Sequence, residues 1–143
     1  MFDADGQHRP SDAKKMLTLL RSNKLDVVLG SRFINEPPKT MPMLRWLLLK
    51  LAIKFTRWTT KLEVSDTHNG LRVFSSQAYS KLILLENKMA HASEILKQIY
   101  VHNLKYSETQ TEIEYTEYSL RKGQHSIDSL RILVDLVVSR LLK

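Results

Sequence analysis

The sequence predicts an α/β fold, because segments typical of buried strands alternate along the chain with segments of helical periodicity. The clearest strand is the apolar run at residues 26–30, which Gly30 closes. The clearest helix covers residues 43–62, where apolar and basic residues recur with a 3.6-residue period. Neither an internal repeat nor a low-complexity segment interrupts this alternation.

Local signals predict the remaining elements in order. Pro10 begins a helix that ends near Ser22, with Met16 and Leu20 on its apolar face. Residues 35–42 hold three of the four prolines and are predicted to form a loop. Further along we expect a turn at 65–70, a strand at 71–74, helices at 76–85 and 92–103, a strand at 109–115, a loop at 121–126 and an amphipathic helix at 127–143.

The composition fits one ordinary folded domain of 143 residues, with 43% hydrophobic residues and charges of both signs. Cysteine is absent, which excludes disulfides, zinc–thiolate sites and thiol nucleophiles. The formal net charge of +7 favours anionic partners such as nucleotide phosphates, lipid headgroups or nucleic acid. No recognised nucleic-acid-binding motif is present, so nucleic acid is not the expected partner. We also expect no signal peptide and no membrane-spanning segment.

The first residues of the chain carry a candidate metal site. Asp3, Asp5 and Gln7 follow the apolar pair Met1-Phe2 and offer only oxygen ligands, the preference of Mg²⁺ or Mn²⁺. A solvated acidic turn has the same sequence pattern, so spacing alone leaves both interpretations open. Met1-Phe2 is itself expected to be the last part of a strand, which suggests that the chain is a piece of a larger domain.

The helix at 43–62 is strongly amphipathic. A cationic stripe consists of Lys50, Lys54, Arg57 and Lys61, and the opposite apolar stripe of Leu44, Leu48, Leu51, Ala52 and Phe55. Trp46 and Trp58 lie between the two stripes. This combination is typical of a helix that lies in a membrane surface. A helix packed on its own core with a solvated charged face is the alternative.

Five motifs in sequence order resemble one family. They are FDADGQH at residues 2–8, VLGSRF at 28–33, DTHNGLRVF at 66–74, Glu94 within a helix, and YSLRKGQHS at 118–126. Together they resemble the C-terminal half of a family 2 glycosyltransferase, in the branch of dolichyl- and polyprenyl-phosphate sugar transferases. The resemblance covers essentially the whole chain. It implies a partial GT-A, Rossmann-like domain, a nucleotide-sugar donor and a lipid-linked acceptor.

The resemblance also implies roles for the phosphate-binding residues. Asp5 and Gln7 would coordinate Mg²⁺ or Mn²⁺, with Asp3 close to the ribose or to a metal-bound water. Arg32 would face an acceptor or donor phosphate, although an ion pair closing a strand end explains the same residue. Arg121 and Lys122 would reach over the diphosphate, although a solvated basic loop has the same composition.

The acceptor determines whether a general base is required. Gly70 would allow a tight backbone approach, and Arg72 would support the acceptor pocket. A phosphate acceptor is already largely dianionic at neutral pH and can attack without a base. A sugar hydroxyl would need a base, for which Asp66 is the candidate.

Two hypotheses for the function therefore remain. The first is a sugar transferase acting on a polyprenyl-phosphate or other lipid-linked acceptor at the cytoplasmic face of the membrane. The second is a membrane-peripheral or partner-binding module without catalytic activity. The family's N-terminal nucleotide-binding half is not represented in the sequence, so we expect residues 1–143 to form one domain, the C-terminal portion of the enzyme. We expect this domain to associate with the N-terminal half or with a second copy of itself. We also expect it to be inactive alone.

Overall fold

The structure, a computed structural model, describes residues 8–34, 43–67, 69–84 and 90–112. In this part of the chain four helices and three strands form a mixed α/β arrangement. The helices are α1 (Pro10–Ser22), α2 (Met43–Thr60), α3 (Ser76–Tyr79) and α4 (Ala90–Val101). The strands are β1 (Val27–Ser31), β2 (Arg72–Phe74) and β3 (Tyr106–Gln110). The predicted α/β class is therefore confirmed.

The three described strands form a mixed sheet in the order β2-β1-β3, with β1 in the centre. β1 runs antiparallel to β2, with Val28 opposite Val73, and parallel to β3, with Ser31 opposite Gln110. All five residues of β1 are buried. A strand covered on both faces and paired on both edges explains why its sequence is a continuous apolar run rather than an alternating one.

Core residues lie on both faces of the sheet. On one face Val28 packs with Leu71 and with Met16 and Leu20 of α1. On the other face Val27 and Leu29 form a cluster with Val64 and with α4, whose Ile95, Leu96 and Ile99 are buried. This division follows from strand geometry, because successive side chains of β1 point to opposite faces.

Three of the helices are followed by a non-glycine residue in the left-handed region: Lys24, Lys61 and Asn103 have φ values of 51°, 56° and 48°. After α1 and α4, the amides of Leu25 and Leu104 donate back to Leu20 and Ile99, which satisfies carbonyls at the helix end. Glycine is the usual residue in this position, so these ends lack their strongest sequence signal.

Most predicted elements are confirmed, with shifts at their ends. The strand predicted at 109–115 is wrong in its start: β3 covers Tyr106–Gln110, residues 111 and 112 are not in a strand, and residues 113–115 lie outside the described residues. All residues of β3 are half-buried, so no alternation of burial marks the strand. The helix predicted at 76–85 is wrong in length, because α3 ends at Tyr79 and Ser80 and Lys81 form a turn. The predictions for residues 1–7, 35–42 and 113–143 lie outside the described residues.

Candidate functional site

Arg32 and Asp66 form a buried ion pair at the carboxyl end of β1. The Arg32 Nε atom donates to Asp66 Oδ2 at 2.6 Å, and Nη2 donates to Oδ1 at 2.8 Å. The Arg32 backbone amide also donates to Oδ2, at 3.2 Å. The two residues are only 7% and 4% exposed. Both carboxylate oxygens of Asp66 are therefore engaged, and the ion pair that the sequence left as an alternative for Arg32 is present.

A chain of polar groups leads away from this pair to Glu108 on β3. The Ser31 and Ser65 hydroxyl oxygens are 2.6 Å apart, and the Phe33 amide donates to Ser31 Oγ at 3.1 Å. The Ser65 amide donates to both oxygens of the Glu108 carboxylate, at 2.8 and 2.9 Å. The Asp66 amide contributes a longer bond to the same carboxylate, at 3.4 Å.

Burial raises the pKa of the Glu108 carboxyl above its usual value of 4.5, and the nearby negative charge of Asp66 adds to the increase. Hydrogen bonds from the Ser65 amide, the Ser65 hydroxyl and the Asp66 amide oppose this change. Desolvation is the largest of these contributions. Glu108 is thus a partly buried acid whose proton affinity depends on its contact with the Ser65–Asp66 turn.

One face of β3 holds the segment that connects α2 to β2. Side chains two residues apart on a strand share a face, and Tyr106, Glu108 and Gln110 have this spacing. The Glu63 amide donates to the Tyr106 hydroxyl at 2.9 Å, and Gln110 Nε2 donates to the Arg32 carbonyl at 3.4 Å. Together with the bonds to Glu108, these contacts hold the backbone of residues 63–66 and of Arg32, which lies outside the sheet.

The segment at 69–71 packs closely on β1. Asn69 Nδ2 donates to Thr111 Oγ1 at 2.8 Å, and Asn69 Oδ1 accepts from the Leu71 amide at 2.9 Å. A Cβ atom on Gly30 would lie 3.0 Å from the Leu71 carbonyl oxygen and 3.0 Å from Thr111 Cγ2. Gly30 is therefore required for this close approach rather than for an unusual backbone angle.

Arg72 lies in β2 and is 4% exposed. Its guanidinium donates long hydrogen bonds to the carbonyls of Ala92 at 3.4 Å and Thr67 at 3.5 Å. It thereby connects the strand to the first turn of α4 and to the Asp66–Thr67 turn. This position is consistent with a supporting role, and the expected role in an acceptor pocket remains a prediction.

An open groove of about 380 Å³ lies between α2 and the end of β1. Its lining combines apolar and aromatic side chains with three cations and one hydroxyl: Phe33, Trp46, Leu49, Lys50, Ile53, Lys54, Arg57 and Ser65. The Lys50 ammonium lies 3.9 Å from the centroid of the Trp46 ring. The Arg32 guanidinium lies 5.1 Å from the Phe33 ring, so the groove adjoins the Arg32–Asp66 pair.

The buried face of α2 differs from the predicted apolar stripe. The residues buried most deeply are Ala52, Thr56 and Thr60, which follow one another at intervals of four. Leu51 and Ala52 both belong to the predicted apolar stripe, but Leu51 is 47% exposed whereas Ala52 is buried. Leu47, Leu51 and Trp58 instead share an exposed face with Lys54, by the helical period.

The predicted cations Arg57 and Lys61 differ from Lys50 and Lys54 in their surroundings. Arg57 Nε donates to the Val64 carbonyl at 2.7 Å, and its Nη1 lies 3.5 Å from the Glu63 carboxylate. Lys61 follows the helix in the left-handed conformation. These contacts hold Arg57 in place, and Lys50 and Lys54 are the other two cations that line the groove.

The structure brings together Arg32 and Asp66 and places Arg72 near the same turn. The other predicted site residues, Asp3, Asp5, Gln7, Arg121 and Lys122, lie outside the described residues. Within the described ranges, no group of three or more His, Asp or Glu side chains is placed to hold a metal ion. No helix in this part of the chain is both long and apolar enough to cross a bilayer.

Glu108, Ser65 and Ser31 were not predicted as site residues. Ser31 lies within the VLGSRF motif and Ser65 directly precedes the DTHNGLRVF motif, but only Arg32 and Asp66 were singled out there. Glu108 lies in a polar strand outside every motif, and its contacts depend on the parallel pairing of β1 with β3. The position of one acidic residue between two predicted elements was the only available signal.

Comparison with known proteins gives three informative relatives. Over 98% of its length the chain is 31% identical to an uncharacterized protein of Methanocaldococcus jannaschii, covering 59% of that protein. It is 30% identical over 98% of its length to the UDP-N-acetylglucosamine–dolichyl-phosphate N-acetylglucosaminyltransferase of Methanococcus voltae, covering 57% of it. It is 29% identical over 90% of its length to the low-salt glycan biosynthesis hexosyltransferase of Haloferax volcanii, covering 30% of that enzyme.

The resemblance inferred from the motifs is confirmed by these relatives, since sequences named as glycosyltransferases align with nearly the whole chain. Their names support assignment of the sequence to the transferases. The chain spans less than three fifths of the length of the relatives it matches. No family model matches the chain, and no solved structure gives a significant match.

Proposed function

We propose that the chain provides the acceptor-binding part of a glycosyltransferase that transfers a sugar from a nucleotide-sugar donor to a polyprenyl phosphate. The observation that carries this proposal is the groove beside the Arg32–Asp66 pair. An isoprenoid phosphate is an amphiphile with one strongly anionic end. The groove offers apolar side chains and cations within one concave surface, which suits both ends of such a molecule.

The proposed chemistry needs no general base. An oxygen of the acceptor phosphate attacks the anomeric carbon of the donor sugar and forms the new carbon–oxygen bond. The bond between that carbon and the donor diphosphate breaks, and the nucleoside diphosphate leaves with the electron pair. The attacking phosphate carries no proton that must be removed at neutral pH. The engagement of both Asp66 oxygens by Arg32 supports this route over one that uses Asp66 as a base.

Lys50 and Lys54 are assigned the anionic end of the acceptor. Both line the groove and both are exposed. A phosphate between two ammonium groups gains charge-assisted hydrogen bonds, which are stronger than neutral ones. Arg32 then acts through its contact with Phe33 and its bond to Asp66, which keep the adjoining edge of the groove in place.

The exposed face of α2 is proposed to contact the membrane surface from which a lipid acceptor would enter. Trp58 is 78% exposed, and Leu47 and Leu51 lie on the same helical face. Exposed apolar residues beside lysines match the composition of helices that lie in a membrane interface. Peripheral attachment at the cytoplasmic face is part of this proposal.

The donor side of the reaction is proposed from the resemblance. Asp3, Asp5 and Gln7 would hold Mg²⁺ or Mn²⁺, which would neutralise charge on the departing diphosphate. Arg121 and Lys122 would approach the same diphosphate. We further propose that the described sheet belongs to a GT-A, Rossmann-like domain. Titration of Mn²⁺ into the chain tests the metal assignment: Asp5→Ala is expected to remove binding, whereas Glu63→Ala is expected to retain it.

The acceptor assignment is tested by photocrosslinking with a prenyl phosphate that carries a benzophenone in its tail. Labelled peptides are expected from α2 and from the segment containing Phe33, and excess farnesyl phosphate should suppress the labelling. Labelling confined to α1, or labelling that farnesyl phosphate does not suppress, would contradict the proposal. Sugar transfer to the same prenyl phosphate separates an enzyme from the alternative of a membrane-bound module without activity.

A further inference from the structure

We propose that Glu108 is a positioning residue, whose carboxylate fixes the Ser65–Asp66 turn and thereby sets the edge of the groove that receives the anionic end of the acceptor. No motif of the sequence includes Glu108. The assignment of the ligand rests on the proposed function, whereas the effect of Glu108 on the turn does not. The two parts can therefore be tested separately.

The first argument is the number of bonds that converge on one carboxylate. The Ser65 amide donates to both oxygens and the Asp66 amide to one of them. Backbone amides that bond to an ionised carboxylate form charge-assisted hydrogen bonds. Ser65 and Asp66 lie between α2 and β2 and belong to neither element, so these bonds replace the ladder that a strand would provide.

The second argument is what the turn carries. Ser65 lines the groove, and Asp66 binds Arg32 through both of its oxygens. A displacement of this turn would move a groove-lining hydroxyl and the partner of a buried guanidinium together. One carboxylate on β3 therefore controls two groups that adjoin the groove.

The third argument is the chain of hydroxyl groups that connects the turn to the lining of the groove. The Phe33 amide donates to Ser31 Oγ, and Ser31 Oγ lies 2.6 Å from Ser65 Oγ. Phe33 and Ser65 both line the groove. A shift of the Ser65 backbone, which Glu108 holds, would therefore be passed through Ser31 to Phe33.

The inference is tested first without ligand, by recording the backbone amide resonances of the full chain by NMR. The Ser65 and Asp66 amides should shift together as pH is lowered, because protonation weakens the acceptor. Glu108→Gln should abolish that shared titration while retaining one acceptor oxygen. The charged groups that face the carboxylate are Asp66 and, through its ion pair, Arg32, so their resonances are followed in parallel.

The second measurement is the affinity of the same variants for farnesyl phosphate. Glu108→Ala is expected to weaken binding about tenfold, the effect of losing hydrogen bonds to a charged group. Glu108→Gln should recover part of that loss, since it keeps one acceptor. The matched control is Ser107→Ala, on the opposite face of β3, which should bind like the wild type.

The outcomes separate the inference from the proposed function. The inference is overturned if the Ser65 and Asp66 amides titrate in Glu108→Gln as they do in the wild type. It is also overturned if Glu108→Ala binds farnesyl phosphate as tightly as Ser107→Ala does. If the wild type does not bind farnesyl phosphate, the proposed acceptor is wrong, and so is the part of the inference that links Glu108 to acceptor binding. The titration of the Ser65 and Asp66 amides then tests only the effect of Glu108 on the turn. If Glu108→Ala does not fold, the titration and affinity of Glu108→Gln decide.

Discussion

The Arg32 guanidinium and the Asp66 carboxylate form a buried ion pair with two side-chain hydrogen bonds, joining the end of β1 to the segment after α2. Planar guanidinium and carboxylate groups match each other in this geometry. The pair fixes the end of β1 against a residue that lies 34 positions away in the sequence. It also leaves the proposed groove beside a fixed charge pair rather than beside a mobile cation.

Removing one member of this pair should destabilise the fold strongly. Asp66→Ala leaves the Arg32 guanidinium buried without its partner, and we expect a loss of about 3–5 kcal/mol in the free energy of unfolding. The matched control is Glu63→Gln, which breaks the exposed contact with Arg57 and should change stability by less than about 1 kcal/mol. Urea unfolding followed by circular dichroism measures both. Similar values for the two variants would contradict the account of the pair.

Gly30→Ala should be destabilising although the backbone of β1 is regular. The added Cβ would lie 3.0 Å from both the Leu71 carbonyl oxygen and Thr111 Cγ2, and we expect a loss of about 1–3 kcal/mol. Thr111→Ser removes one of these contacts and keeps the hydroxyl that Asn69 binds. The double variant should therefore recover part of the stability, as measured by thermal unfolding. A neutral Gly30→Ala would show that the segment at 69–71 can move away.

Binding to anionic liposomes should depend on Lys50 and Lys54. Replacing both by Gln should reduce the free energy of binding by about 2 kcal/mol, since each basic residue near an anionic surface contributes roughly 1 kcal/mol. The control variant replaces Lys14 and Lys97, which are exposed on α1 and α4, by Gln, so that its net charge changes by the same amount. Flotation at low and high salt measures the partition. Equal losses for the two double variants would indicate attraction by net charge alone.

The stability of the protein should carry a pH dependence that originates from Glu108. Because burial raises the pKa of this carboxyl in the folded state, the native protein takes up a proton before the unfolded chain does as pH falls. The free energy of unfolding of the wild type, relative to Glu108→Gln, should therefore rise as the pH is lowered from neutral to 4.5, the usual pKa of this carboxyl. Urea unfolding at both pH values measures this difference. If the relative stability instead decreases as the pH is lowered, the hydrogen bonds to Glu108 outweigh its desolvation.

Much of the fold was predictable, because β1, β2, α1 and α2 carry strong local signals. The apolar run of β1 reflects burial on both faces, and Pro10 marks the start of α1. The bounds of β3 were not predictable, because its half-buried residues show no alternation of burial. Its pairing with β1 determines where it begins. Ala52 was placed on the apolar stripe of α2, but the burial of Thr56 and Thr60 was not predicted, because a polar side chain carries no sign of burial in the sequence.

The candidate site was predictable in its residues and less so in its contacts. Arg32, Asp66 and Arg72 were identified from motifs, and one of the two interpretations of Arg32 was an ion pair. Its partner could not be identified, because Asp66 is 34 positions away and the path of the intervening α2 segment determines their contact. Glu108 carries no motif, and its role depends on the three-dimensional placement of the Ser65–Asp66 turn. Long-range contacts of this kind leave no pattern in a single sequence.

The central claim is that the groove binds an isoprenoid phosphate, and fluorescence of Trp46 tests it most directly. Trp46 lines the groove, and Trp58→Phe removes the emission of the only other tryptophan in the sequence. In that background the emission is titrated with farnesyl phosphate, farnesol and inorganic phosphate. We expect saturable binding of farnesyl phosphate, at least about tenfold tighter than either other ligand, and weakened by Lys50→Gln with Lys54→Gln. Equal affinity for farnesol, or an emission that farnesyl phosphate leaves unchanged, would contradict the account.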